Sequence, residues 1–505
     1  MHQGNVIDME KYYLGIDQGT TGTRALLFNR KWRVVGSGYQ TLPILYPQPG
    51  WVEHDPADIW NSVLSAVGQA MKQADAEADS IICIGIDHEG ESVIMWDSQT
   101  GMPVYNCIVW QDRRNAREYD SIAIENNALI HKKTGLMLST YFSATKYNWI
   151  LTHIPQAAAM AAQNRLLAGT IDSWLMWKMT HGRIHATDAS TASRTLLYNI
   201  NEGKWDEELA SIFSIDTKIL PEIMDSAQFF AYTDPLDFLG IKAPITAVLV
   251  DQQAAMLGQA CTTPGAIKTT YGTGCFMMLN TGSRKIDSKY GLLPTVAWKI
   301  NGNTSYAMDG GVYTTGAAIK WLVDKVGILS LPEESEKMAL RVPDNGGVYF
   351  VSAFHGLAAP YWDQYASGMV IGITGNTQKE HLVRAALEGT AFQVFDVLQA
   401  MAGDSDLSIH TMRCNGAATK NKFLMQFQAD LLGISLEIPV ISETTALGTA
   451  FAAALGIGEY KSVRDIESFW EVAQIYEPAI KEEERNYLIY NWHRAVERAK
   501  YWVEE

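Results

Sequence analysis

The apolar stretch Tyr12-Tyr13-Leu14-Gly15-Ile16, a second at residues 23–28 and a third at 31–39 are separated by turn residues and predict three strands joined as consecutive hairpins. Asp55-Pro56 then offers an N-cap with proline at the first helical position, residues 59–72 carry helical spacing, and 81–87 return to a buried strand. The predicted order is β, β, β, α, β. A second series of the same kind is read from Ile245 onward, through the apolar residues 247–250 and the runs at 267–271, 275–279 and 296–299. Near the end, Tyr487, Ile489, Trp492, Val496 and Tyr501 follow helical spacing, which predicts a closing helix docked on the fold. The chain therefore reads as an α/β protein that repeats itself.

Composition supports large cores: 47% of the 505 residues are hydrophobic, with 15 Trp, 15 Phe and 22 Tyr. At this length two domains of about 250 residues are allowed. Acids outnumber bases 56 to 40, for a formal charge of −16, which opposes the counterion release that nucleic-acid binding relies on. DNA, RNA and anionic membrane surfaces are excluded as expected partners. No apolar run approaches the roughly 18–20 residues of a membrane helix, and Met1 to Asp8 lack a basic segment followed by an apolar one, so an unexported protein is expected. The five cysteines (83, 107, 261, 275 and 414) are scattered and odd in number, which suits a reducing cytoplasm.

Chemistry concentrates in two turns. Asp17-Gln18-Gly19-Thr20-Thr21 follows the first strand, and Tyr271-Gly272-Thr273-Gly274 is its counterpart in the second series. Glycine lets the main chain approach an anion and threonine adds a hydroxyl donor, so paired loops of this kind can cradle phosphate oxygens. Walker and Rossmann patterns are absent, and His88-Glu89-Gly90-Glu91-Ser92 lacks the second histidine of a zinc hydrolase.

These turns, together with residues 49–56, Val109-Trp110-Gln111-Asp112-Arg113-Arg114, Ile171-Asp172-Ser173-Trp174-Leu175, Asp251-Gln252-Gln253-Ala254-Ala255, Gly356 to Asp363, Phe423 to Gln428 and Thr444-Thr445-Ala446-Leu447-Gly448, occur in the order known from one family. Over roughly residues 12–500 the chain resembles the FGGY carbohydrate kinases, and among them the glycerol kinases. The resemblance implies two actin-like, ribonuclease H-like ATPase domains with an interdomain cleft: residues 1–257 for the polyol and 258–505 for the nucleotide. It implies ATP and Mg²⁺ as cofactors, a homo-dimer or homo-tetramer, a cytoplasmic location, and closure about hinge positions near residues 255–265.

Phosphoryl transfer to an alcohol requires an in-line hydroxyl, neutralised phosphate charge and a base for the hydroxyl proton. By the resemblance the base is Asp251, at the end of an apolar strand and followed by polar Gln252. Asp17, with Asp251, is the expected metal carboxylate; Gly19, Thr20, Thr21, Gly22 and Arg24 approach the phosphates. Thr273, Gly316, Lys320, Ala417 and Asn421 fall at nucleotide positions. Glu91, Tyr141 and Gln252 are the expected hydroxyl partners, and Trp110 and Phe276 the apolar walls.

The pattern breaks at one place that bears on substrate. The resemblance implies Asn-Gln-Arg-Glu-Thr, the segment of glycerol kinases, where this chain has His88-Glu89-Gly90-Glu91-Ser92, so an arginine fork is replaced by Gly90 and the pocket is expected to be larger and more acidic. Either His88 or Lys146 swings in to restore the lost donors and glycerol stays the substrate, or the site takes a longer polyol such as erythritol or threitol, or a ketose. Lys320, Asn415 and Ala417 also depart, from glutamine, aspartate and glycine. Residues 234–242 lack the Gly-Gly-x-Arg loop that binds a sugar bisphosphate inhibitor in some relatives. A non-catalytic nucleotide-binding regulator on the same fold is the alternative of a different class.

Overall fold

The computed structural model describes residues 10–114, 116 and 119–503; the Met1 to Asp8 segment read above lies outside them, as do 504 and 505. The chain forms two compact units: Met1–Ala260 with Thr295–Tyr306 and Glu443–Phe469, and Cys261–Pro294 with Ala307–Ser442 and Trp470–Glu505.

The first unit is built on a six-stranded sheet. Its order is Ala227–Tyr232, Pro244–Val250, Ile81–His88, Tyr12–Gly19, Gly22–Phe28 and Val34–Thr41. The last three strands pair antiparallel, as the hairpin reading predicts, while Tyr12–Gly19, Ile81–His88 and Pro244–Val250 run parallel at the centre. Pro244–Val250 thus belongs to the first sheet, which corrects the reading that a second series begins at Ile245. Its apolar run shows that both faces are covered, yet periodicity carries no information on which sheet a strand joins. The second series begins at Ile267–Tyr271.

Helix Pro56–Ala74 starts as expected, with the Asp55 carboxylate accepting from the Ala57 N–H. Helix Thr444–Gly456 lies so close to the central strands that a Cβ at Gly15 would stand 2.4 Å from the Ala446 carbonyl oxygen, and one at Gly85 2.3 Å from that of Thr449. Only glycine fits there. Gly85→Ala is expected to lower folding stability by about 1–3 kcal/mol through overpacking, read as a fall in the denaturation midpoint.

The second unit repeats the scheme. Ile267–Tyr271 and Cys275–Gly282 form a hairpin, and Thr411–Asn415 and Ser435–Pro439 run parallel to the first of them in turn. Helix Lys379–Ser405 is buried along most of its length. The closing helix forms at Glu482–Ala499, where Trp492 stacks on Phe392 at 5.1 Å and donates its ring N–H to Asp396. Tyr487 and Tyr501 stay exposed, so the docked face is narrower than the apolar spacing suggests.

Candidate active site

Three parallel strands of the first unit end together, and their ends carry acids. Asp17 stands opposite Asp87 in register, Leu249 opposite Asp87 and Val250 opposite His88, so Asp251 emerges one residue beyond its neighbours' ends. The Asp251 carboxylate is turned back on the start of helix Asp251–Gly258. Its Oδ1 accepts the Gln252 backbone N–H at 2.6 Å and its Oδ2 the Gln252 side-chain amide at 3.2 Å.

These acids disturb one another. Burial and then the negative charge of Asp251 push Asp17 up to about 6, against the pull of a hydrogen bond from Asp87 and the charge of Arg24. Asp87 is pushed well above the usual carboxylate range, first by burial and then by Asp17, so Asp87 is the member of the pair that keeps a proton. Thr449 donates to it at 2.6 Å. The Arg24 guanidinium pairs with Glu443 at 3.3 Å and covers the Tyr39 ring.

The Gly19–Gly22 turn joins this group to the next. The Thr20 hydroxyl accepts the Trp110 ring N–H at 2.9 Å and donates to Glu89, which also accepts from Ser92 at 2.9 Å. Glu89 is pushed up to about 7, chiefly by burial. Thr21 is exposed, whereas Gly22 is buried and a Cβ on it would lie 2.5 Å from the Gln40 carbonyl oxygen.

Of the expected acceptor residues, Glu91, Tyr141 and Trp110 form a second cluster in the same unit. Trp110 meets Tyr141 edge to face at 5.6 Å. Glu91, 4% exposed, accepts from Arg194 Nε at 2.7 Å; the same guanidinium lies 5.8 Å from the Tyr141 ring and 5.4 Å from that of Phe142. Burial raises Glu91 above the usual range and Arg194 opposes that rise. Gly90 has φ +27, and a Cβ there would meet only Val250, whose nearest methyl lies at 3.0 Å.

Neither candidate for replacing the missing arginine reaches into this cluster. His88 is turned to Thr191 at 3.0 Å and Asp172 at 3.3 Å, and the Lys146 ammonium is spent on the carbonyls of Thr140, Tyr141 and Phe142. The cation beside Glu91 is Arg194, which sequence reading missed because 103 residues separate the pair. Asp87 and Glu89 were missed as well. Their signal was present: five residues, 87 to 91, hold three acids at the end of an apolar strand. The turn carrying Trp110 is braced by Arg114, which bonds Asp112 and Glu53 at 2.7–2.9 Å and lies 4.0 Å from the Trp51 ring and 4.4 Å from Trp149.

The second unit carries the other expected residues. The Gly272–Gly274 turn is closed by a backbone hydrogen bond, and the Gly316 and Ala317 N–H groups donate to the Gly272 and Thr273 carbonyls at 3.2 and 3.1 Å. A Cβ at Gly316 would stand 2.6 Å from the Gly272 oxygen, so glycine is required for this approach. Ala417 opens an exposed 3₁₀ turn after the strand end Asn415, whose amide oxygen accepts from Thr270 at 2.9 Å. Asn421 caps helix Lys422–Leu432 by accepting the Leu424 N–H. Lys320 points to solvent with its side chain 74% exposed, and Phe276 is half-buried on Cys275–Gly282.

Residues 12–258 match the N-terminal domain of the FGGY family of carbohydrate kinases, and 267–457 its C-terminal domain. The chain is 47% identical to glycerol kinase 2 of Thermotoga maritima over 493 residues, covering 97% of this chain and 99% of that one. It is 46% identical to the glycerol kinase of Petrotoga mobilis over 498 residues, 98% and 100% of the two chains. Among solved structures, Plasmodium falciparum glycerol kinase with ADP matches with a TM-score of 0.92 at 34% identity, over 97% of this chain and 98% of that one. A xylulose kinase from Lactobacillus acidophilus shares the fold, with a TM-score of 0.86 at 21% identity over 97% of both chains.

Proposed function

The chain belongs to the FGGY family of carbohydrate kinases, and from that premise we propose that it transfers the γ-phosphoryl group of ATP to a terminal hydroxyl of a small polyol, with glycerol, giving glycerol 3-phosphate, as the first candidate. One observation carries the reading beyond fold: Asp251 sits at a strand end with its charge felt by Asp17, Glu89 and Glu91, in a unit that also gathers Tyr141, Trp110 and Gln252. A non-catalytic nucleotide binder has no use for such a base beside hydroxyl-binding groups.

In this reading Asp251 Oδ2 takes the proton of the attacking hydroxyl, and the amide of Gln252 orients the carboxylate. Glu91 and Tyr141 hold the remaining hydroxyls, the first as acceptor and the second as donor or acceptor. Trp110 supplies a flat wall for the carbon chain. Thr273, Gly316, Ala417 and Asn421 of the second unit are assigned to the nucleotide. Arg24 and the N–H groups of the 19–22 turn are assigned to phosphate oxygens, and Lys320, whose exposed ammonium lies 4.0 Å from Asp324, to the nucleotide.

The residues fit Mg²⁺. Burial and the charge of Asp251 raise the proton affinity of Asp17, a cost that a divalent cation removes. Asp17 and Asp251 are the carboxylates that would hold it, a cation that prefers oxygen ligands and keeps much of its water. When bound, it neutralises charge on the transferring phosphoryl group. The free, buried cysteines accord with a cytoplasmic protein, and a homo-dimer or homo-tetramer is the assembly proposed, to be measured by sedimentation.

Gly90, standing where glycerol kinases carry an arginine, supports a second substrate reading, a four-carbon polyol or a ketose. ATP-dependent phosphorylation measured across C3 to C6 polyols and ketoses tests both: turnover of none of them rejects the kinase. Gly90→Arg restores a donor fork, at the cost of a Cβ that meets a Val250 methyl at 3.0 Å. It is expected to shift kcat/KM toward glycerol over erythritol by about tenfold, the scale of one or two groups in a pocket, with a small loss of stability from the positive φ.

A further inference from the structure

Lys146 is a buried cation that the reaction does not use. It lies in helix Ser143–His153, is 4% exposed, and spends its three protons on three consecutive carbonyls: Thr140 at 2.8 Å, Tyr141 at 2.6 Å and Phe142 at 3.1 Å. Ammonium at the start of a helix opposes the helix dipole, and taking it out of water is costly, so this position works against helix stability. What the arrangement achieves is local. The loop that presents Tyr141 has its carbonyls drawn to one point, while the Tyr141 N–H is held by Ser139 Oγ at 3.2 Å. The phenol ring is thereby set against Trp110 and within reach of the Arg194 guanidinium that holds Glu91.

We propose that Lys146 is the positioning residue of the polyol site: its ammonium fixes the 140–142 loop so that the Tyr141 hydroxyl meets the acceptor. The inference rests on the kinase reading above. The groups acting on Lys146 are Glu91, Asp112, Cys107 and Arg114; burial is the largest influence and lowers its pKa to about 7. Cys107 keeps its proton, its pKa being raised far above the usual thiol range by burial. Loss of the Lys146 charge as pH rises through 7 leaves one carbonyl without its donor and loosens Tyr141. Glu89 titrates in the same range, and its contribution is separated by a variant whose charge at 146 is permanent.

The test uses the full-length enzyme with polyol and ATP analogue titrated separately by calorimetry, beside steady-state kinetics. Lys146→Met is expected to raise Kd and KM for the polyol about tenfold, the scale of one charge-assisted hydrogen bond, and to leave Kd for the ATP analogue and kcat at saturating polyol within twofold. Lys146→Arg is expected to restore most of the polyol affinity. In a Tyr141→Phe background Lys146→Met is expected to cost less than threefold more, because both changes remove one contact. Should Lys146→Met fail to fold, wild type decides: polyol Kd weakens between pH 6 and 8.5 and does so less in Lys146→Arg. Unchanged polyol affinity in Lys146→Met, a full additional loss in the Tyr141→Phe background, or identical pH dependence in wild type and Lys146→Arg overturns the proposal while leaving the kinase intact. A wild-type protein that phosphorylates no polyol instead rejects the function itself.

Discussion

Asp251→Asn is expected to abolish most phosphoryl transfer, with kcat falling by about 10²–10⁴, the range that a positioned general base supplies. Asparagine keeps the shape, and its amide oxygen still accepts the Gln252 N–H, so polyol binding persists within a few-fold. Stability moves the other way. Asp17 titrates at about 6 in the fold, partly because Asp251 is negative, and a carboxyl whose folded pKa is raised destabilises the fold as pH climbs from its unfolded value through the folded one. Removing the Asp251 charge relieves this above pH 6 and does nothing at pH 3.5, where Asp17 is protonated either way. The thermal midpoint of the variant should therefore exceed wild type at pH 8 and approach it at low pH. A midpoint unchanged at both pH values would mean that the two carboxylates do not share a field, and unchanged turnover would remove Asp251 as the base.

Much of the frame of this site was legible in the sequence, and the reasons are local ones. The Gly/Thr turn after Tyr12–Gly19, the Asp55-Pro56 cap and the hairpin at Ile267–Tyr271 each depend on neighbours a few residues away, which is the range over which turn chemistry and periodicity act. The assignment of Pro244–Val250 failed for the complementary reason. Its apolar residues fit either sheet, and what selects the first is pairing with Ile81–His88, more than 150 positions earlier. Side-chain partners across such distances were invisible too. Nothing near Arg194 announces Glu91, and nothing near Thr449 announces Asp87. Lys146 shows the limit most clearly: charge at that position suggested a donor for substrate, whereas the folded loop offers it three carbonyls first.

Arg194 carries the other large expected effect, because it balances a carboxylate that is shut away from water. Arg194→Met leaves Glu91 buried beside Asp251 with only the more distant Lys146 to offset its charge, and breaking a buried pair from one side costs about 3–5 kcal/mol. The fold escapes part of that cost by protonating Glu91, whose pKa is already raised by burial and loses the pull of the guanidinium. A protonated Glu91 no longer offers two acceptor oxygens to hydroxyls, so KM for the polyol is expected to rise by about 10–100-fold at pH 7 and to recover as pH rises and the carboxylate reforms. Adding Glu91→Gln to Arg194→Met removes the unpaired charge and should restore the thermal midpoint while leaving KM high and without the recovery at raised pH. Recovery of KM along with the midpoint would show that the pair holds the fold and not the acceptor, and a KM in Arg194→Met equal to wild type across the pH range would show that Glu91 does not bind the polyol at all.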